Sequence, residues 1–188
     1  MPRERYENGV TSRARFLAIV AGALALGAKH RSADEGWHHE HGANGLALST
    51  SVQLDLTFVT VDGTLFALAD HRGKVVVVNL FATWCGPCNA EAPDVTSFAE
   101  AHAADTLVVS VDVGETAATA RQFQARYGID YPVAADESSR LYKSIGMHAY
   151  PTTLFVRPNG KLACAFVGQL SREDLEAERA YALQDADT

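Results

Sequence analysis

The feature that most constrains this chain is Lys74-Val75-Val76-Val77-Val78-Asn79-Leu80-Phe81, followed after only Ala82 and Thr83 by Trp84-Cys85-Gly86-Pro87-Cys88. A continuous β-branched run with little alternation reads as a central strand covered on both faces. From Cys85 to about His102 the spacing becomes helical, interrupted by Pro93, which is expected to kink the helix. Cys85 therefore falls at a helix amino terminus, where unpaired N–H groups and aligned peptide dipoles favour a thiolate. A free thiol titrates near about 8.5, and such placement lowers that by one to several units. Cys85 is expected to be the exposed, attacking sulfur. Cys88, almost a turn further in, is expected to be shielded and to resolve the mixed disulfide, with Gly86 and Pro87 shaping the entry. A half zinc site and a static disulfide are the competing readings. Zinc wants a second ligand pair, which Cys164 alone does not supply, and a four-residue disulfide loop constrains little chain. The order strand, motif, helix favours redox catalysis.

The surrounding pattern supplies the rest of an α/β domain. Leu54 to Val61, the turn signal Asp62-Gly63 and Leu65 to Leu68 read as a hairpin. Thr106 to Val111 is a second buried strand, and Glu115 to Tyr127 a helix ended by Gly128. Tyr131 to Ala134 is a short extended piece and Ser138 to Ile145 a short helix. Thr152 to Val156 and Lys161 to Val167 are strands joined by the turn Arg157-Pro158-Asn159-Gly160. Ser171 caps a last helix with acids in its first turn. Strand–helix–strand, then hairpin, then helix predicts an α/β sandwich on a mixed sheet, parallel at first and antiparallel at the end. With 188 residues there is room for one ordinary domain and an appendage. A formal net charge of −7 repels phosphate backbones, so no nucleic-acid partner is expected.

The appendage is amino-terminal. Four arginines (Arg3, Arg5, Arg13, Arg15) precede thirteen uncharged, mostly apolar residues, Phe16 to Ala28. As a helix that run spans about 20 Å, short of the roughly 30 Å hydrocarbon core. Residues 1–28 are read as a signal peptide, with an uncleaved signal anchor as the alternative, and either places the domain outside the cytoplasm. Residues 29–51, rich in Gly, His, Ala and Ser, read as a flexible linker, and 52–188 as the folded domain. The linker's Trp37-His38-His39-Glu40-His41 offers imidazoles to a metal, but nothing there fixes a geometry, and no metal is assigned.

Taken together, Asp62-Gly63, Arg72-Gly73-Lys74, Asn79 through Cys88, Glu91-Ala92-Pro93, Tyr150-Pro151-Thr152-Thr153 and Asn159-Gly160 resemble the TlpA/ResA/CcmG-type extracytoplasmic branch of the thioredoxin superfamily. Gly168 and Ser171 to Leu175 continue the resemblance, which covers roughly Leu54 to Ala180. It implies a thioredoxin-like fold, a central mixed β-sheet flanked by helices with an added amino-terminal β-hairpin. It implies Cys85 as nucleophile, Cys88 as resolving thiol and Pro151 as a cis-proline facing the disulfide. Tyr150 and Pro151 would then offer backbone to extended client chains, joined by Trp84, Gly86 and Pro87 around the pair. Asn79 stands where cytoplasmic thioredoxins keep a buried aspartate, and Glu91 matches the acid this branch places nearby, a candidate for proton transfer to Cys88. A solvated helix glutamate is the plainer alternative for Glu91.

The function implied is thiol–disulfide exchange with exported clients, as a reductase fed by a membrane electron donor. Apocytochrome c and a copper-assembly protein are the client classes the resemblance suggests. The dithiol is itself the redox carrier, no other cofactor is needed, and a monomer is expected. A copper chaperone binding Cu(I) through Cys85 and Cys88 is one alternative, although the related copper family spaces its cysteines by three. A thiol peroxidase is another, but Ala82 stands where such enzymes need threonine. Cys164 is expected to be a buried inert thiol sharing its strand face with Leu162 and Phe166. His148 is expected to be a loop residue, and Trp84 to pack beside the dithiol and shield it.

Overall fold

In the computed structural model, residues 46–49, 54–146 and 149–184 are described. The apolar run 16–28, the histidine cluster and His148 lie outside them. Eight strands occur in chain order: β1 (Leu46–Ser49), β2 (Thr57–Val59), β3 (Leu65–Ala67), β4 (Val75–Phe81), β5 (Thr106–Val113), β6 (Val133–Asp136), β7 (Thr152–Val156) and β8 (Leu162–Val167). The helices are α1 (Gly86–His102), α2 (Ala117–Tyr127), α3 (Arg140–Ser144) and α4 (Arg172–Leu183). Six strands form one mixed sheet in the order β1-β8-β7-β4-β5-β6. β4, β5 and β6 run parallel, joined by the crossovers α1 and α2, while β7, β8 and β1 add antiparallel neighbours. This is the thioredoxin-like arrangement the sequence implied.

Every residue of β4 is buried, as its unbroken apolar run requires of a strand covered on both sides. Val75, Val77 and Phe81 enter one core with Phe98, Phe123, Phe155, Phe166 and Leu175, beneath α1, α2 and α4. Val76, Val78 and Leu80 enter the other with Leu56, Phe66, Val109, Leu154 and Tyr142, beneath the hairpin and α3. Burying one such Phe or Leu side chain contributes roughly 1.5–3 kcal/mol. The hairpin β2–β3 forms its own two-stranded sheet, turned at Gly63, whose φ of 89° suits glycine. A bridge from Thr60 to Ala134 ties it to the edge strand β6.

Two expectations need correction. The stretch assigned to flexible linker, residues 29–51, contains β1, which pairs with β8 over Leu46↔Val167 to Ser49↔Cys164. Leu-Ala-Leu-Ser is too short for its pattern to stand out, and it is the open edge of β8 that recruits it. Leu162 does not share a face with Cys164. The β7–β8 register shifts between Phe155 and Val156, so Phe155 opposes Cys164 while Val156 opposes Leu162. One extra residue inverts the alternation, sending Cys164 and Phe166 to one core and Leu162 to the other.

Candidate active site

The site sits where β4 ends and α1 begins. Cys85 is the N-cap of α1, and its Sγ accepts a hydrogen bond from the Cys88 N–H at 3.2 Å. Pro87 lies in the first turn, where a missing N–H costs nothing because no carbonyl awaits it. Cys85 and Cys88 are joined as a disulfide, with Cα atoms 5.3 Å apart. Both are closed to solvent, at 5% and 2% exposure. The expectation of an exposed Cys85 is thus corrected: in the disulfide its side chain is closed to solvent beside the helix head. Gly86 and Pro87 are exposed.

The approach to the pair is held by polar contacts that sequence reasoning missed. The Asn89 amide donates to the carbonyls of Thr83 at 2.9 Å and Cys85 at 2.7 Å, and its Oδ1 accepts from the Tyr127 hydroxyl at 2.8 Å. Glu115, from the turn after β5, accepts from the Thr83 N–H at 2.6 Å and from the Thr83 hydroxyl at 2.7 Å. The one available signal was Asn89 lying four residues after Cys85, the spacing that stacks side chains on a helix. The Thr83–Glu115 pair joins residues 32 apart in the chain and leaves no local trace.

Trp84 stands at the surface beside the motif. It is 70% exposed and meets Tyr150 edge-on, ring centroids 5.7 Å apart, while Tyr150 stacks on Tyr142 at 4.8 Å. The Tyr150–Pro151 peptide is cis, as the resemblance implied. The Pro151 carbonyl is taken by the Gly168 N–H at 2.9 Å. Trp84 and Tyr150 thus form an aromatic ledge beside the motif, with one large face open to solvent.

Glu91 is no solvated helix residue. It is 1% exposed, three residues after Cys88 on α1. Its Oε1 accepts from the Asn79 amide at 2.8 Å and its Oε2 from the Leu170 N–H at 2.9 Å. Burial pushes its carboxyl up to about 7, against the pull of those two donors. The Asn79 amide also donates to the Thr153 hydroxyl at 3.1 Å, so the amide on β4 links the acid to β7. The arrangement can hold a proton at neutral pH one turn from Cys88 and exchange it there.

Cys164 is buried far from the motif in sequence, and its thiol donates to Glu178 Oε2 at 2.9 Å. Burial first, and then the Glu178 charge, push this thiol well above the usual range. Among the described residues no group of three or more His, Cys, Asp or Glu side chains is placed to hold a metal ion.

The Redoxin family model matches residues 47–183. The thiol-disulfide oxidoreductase ResA of Geobacillus thermodenitrificans is 28% identical over 123 residues, 65% of this chain and 71% of that protein. Among solved structures, a thioredoxin-family thiol:disulfide interchange protein from Chlorobium tepidum is 30% identical with a TM-score of 0.64, covering 73% of this chain and 98% of the other. An exposed lipoprotein thioredoxin from Streptococcus pneumoniae is 31% identical with a TM-score of 0.57, covering 68% and 99%.

Proposed function

This chain belongs to the Redoxin family and is a thiol–disulfide oxidoreductase, and from that premise we propose that it acts as a reductase of disulfides in exported proteins. In the proposed cycle the Cys85 thiolate attacks a client disulfide and expels one client thiolate. Cys88 then attacks Cys85 Sγ, releasing the second client thiol and closing the Cys85–Cys88 disulfide. Two electrons leave the dithiol for the client, and a membrane donor restores them. The dithiol is the redox carrier, without a further cofactor.

The observation that carries the assignment is Cys85 as cap of a 17-residue helix with a buried acid one turn behind its partner. Glu91 is assigned the proton traffic of Cys88: it takes the thiol's proton as Cys88 attacks and returns it on reduction. Asn79, in place of a second ionisable group, fixes one oxygen of that acid. The Trp84–Tyr150 ledge, with Gly86, Pro87 and Pro151, is assigned client contact, the backbone beside Pro151 pairing with an extended chain. The Gly-Pro pair between the cysteines supports the reducing direction. Apocytochrome c or a copper-assembly protein fits as client, and a monomer fits as the working form.

Residues 1–28 are assigned to export, which puts the domain on the outer side of the cytoplasmic membrane. The arginine-rich start and apolar run support this, as does the similarity to an exposed lipoprotein thioredoxin. Among the described residues no helix is long and apolar enough to cross a membrane.

Cys88→Ser expressed in the native compartment tests the reading. The variant is expected to accumulate clients as mixed disulfides through Cys85, identifiable after thiol release. Normal turnover by Cys88→Ser, or trapped adducts through Cys164, overturns the roles. Stoichiometric, tight Cu(I) binding by the reduced protein without disulfide turnover would turn the reading to a copper carrier.

A further inference from the structure

A second buried acid, Asp112 on β5, is not used by the proposed cycle. Asp112 is the penultimate residue of β5, in register with Phe81 of β4 and Ala135 of β6. It is 0% exposed, and no donor among the described residues reaches either carboxyl oxygen. An ionised carboxylate in that position would be costly. Its neighbour is the carboxyl of Glu115, three residues further on, an acceptor that in its ionised form has no hydrogen to offer.

Glu115 is committed elsewhere. Its two oxygens take the Thr83 N–H and the Thr83 hydroxyl, the two donors immediately before Trp84 and Cys85. Two acceptors in contact are satisfied only when one holds a proton. Both Glu115 oxygens already accept from Thr83, so Asp112, with no donor aimed at it, is the member that carries the hydrogen. Burial, followed by the Glu115 contact and charge, pushes the Asp112 carboxyl up to about 8. From the cis-proline loop, Tyr150 feels both Asp112 and Glu115, and Asp136 at the end of β6 as well. Ala135 of β6 and Phe81 of β4 bring no charge.

We propose that Asp112 and Glu115 form a one-proton carboxyl pair that fixes Thr83, and through it the Trp84–Cys85 approach to the disulfide. Asp112 is a positioning residue: it donates to Glu115, which grips both donors of Thr83. When the shared proton passes to solvent, two adjacent carboxylates repel, and the grip on Thr83 loosens. The client ledge then shifts with pH independently of the thiols.

The inference rests on the functional reading only for the importance of Cys85, and its test needs no turnover. The chain has two tryptophans, Trp37 and Trp84, so Trp37→Phe leaves Trp84 as the sole indole. Its fluorescence is followed from pH 6 to 9.5 in the oxidised protein, where neither active-site thiol titrates. The expected result is a step centred near pH 8 that is lost in Asp112→Asn, whose amide still donates to Glu115 but cannot ionise. A flat parent profile, or the same step in both proteins, overturns the pair. Should Asp112→Asn fail to fold, infrared difference spectra of the Glu91→Gln protein take its place. They should lose a protonated-carboxyl band between pH 6.5 and 9.5, and absence of that band overturns the proposal. A pair that titrates in a protein without exchange activity would sink the functional reading and leave this one standing.

Discussion

Cys85 and Cys164 are both nearly closed to solvent, at 5% and 2% exposure, yet their surroundings are opposite in sign. The sulfur of Cys85 receives an N–H at the head of a helix, 3.2 Å away. That of Cys164 faces a carboxylate oxygen at 2.9 Å, deep under α4. Helix N-terminal amides favour a thiolate, whereas an adjacent anion opposes one. Arg157 pulls the Cys164 thiol downward, but burial and Glu178 outweigh it. Burial first and then an adjacent acid hold the Cys164 thiol protonated, whereas the N–H groups at the helix head around Cys85 act in the opposite sense.

The sharpest way to break this comparison is to exchange each sulfur for oxygen. Cys85→Ser is expected to drop insulin disulfide reduction to the uncatalysed background, while Cys164→Ser stays within about twofold of the parent. Loss of turnover in both would show that the two thiols cooperate. Next in size is Glu91→Gln, expected to slow reduction on the order of 10²-fold, the lower end of general acid–base contributions. The parent rate is expected to show an inflection near pH 7 that this variant loses, and an inflection that survives in the variant would remove Glu91 from the proton path.

Stability gives a smaller effect with a definite sign. The Glu91 carboxyl moves from 4.5 to about 7 on folding, so between those values the native protein holds a proton that the unfolded chain releases. Stability therefore falls as pH rises from 4.5 to 7, by about 3 kcal/mol at roughly 1.4 kcal/mol per pH interval. Asp112, pushed up to about 8, extends the fall. Denaturant unfolding of the oxidised protein should give a higher midpoint at pH 5 than at pH 8, with a shallower dependence in Glu91→Gln. A rising midpoint would contradict the burial of both acids. The smallest effect concerns the quiet thiol. Glu178→Gln removes the opposing charge, so native-state alkylation of Cys164 at pH 9 should quicken by about a factor of a few yet remain slower than that of reduced Cys85.

How much of this was legible in the sequence follows the range of each interaction. The strand β4, the motif and α1 were legible because burial on both faces leaves an unbroken apolar run, and because a cap and its helix are neighbours in the chain. The Asp62-Gly63 hairpin was legible for the same local reason. The face of Leu162 was not, since a single register shift opposite Phe155 and Val156 changes parity without changing composition. Glu91 could be placed one turn from Cys88, but its closure depends on Leu170, 79 residues away, folding its N–H over the acid. Thr83 with Glu115, and Asp112 beneath them, depend on two parallel strands lying side by side. The edge-on contact of Trp84 with Tyr150 was not legible either, because it joins the motif to a loop far along the chain.

The four residues Leu46–Ser49 have a bearing on where this protein can be cut. They hem the outer margin of β8, whose N–H and C=O groups would otherwise stand as an unclaimed row. A shortened version starting at residue 52, the boundary that composition suggests, would keep every active-site residue and still carry an adhesive rim inviting strand-to-strand self-association. A version starting a few residues before Leu46 keeps the hem and should stay dispersed.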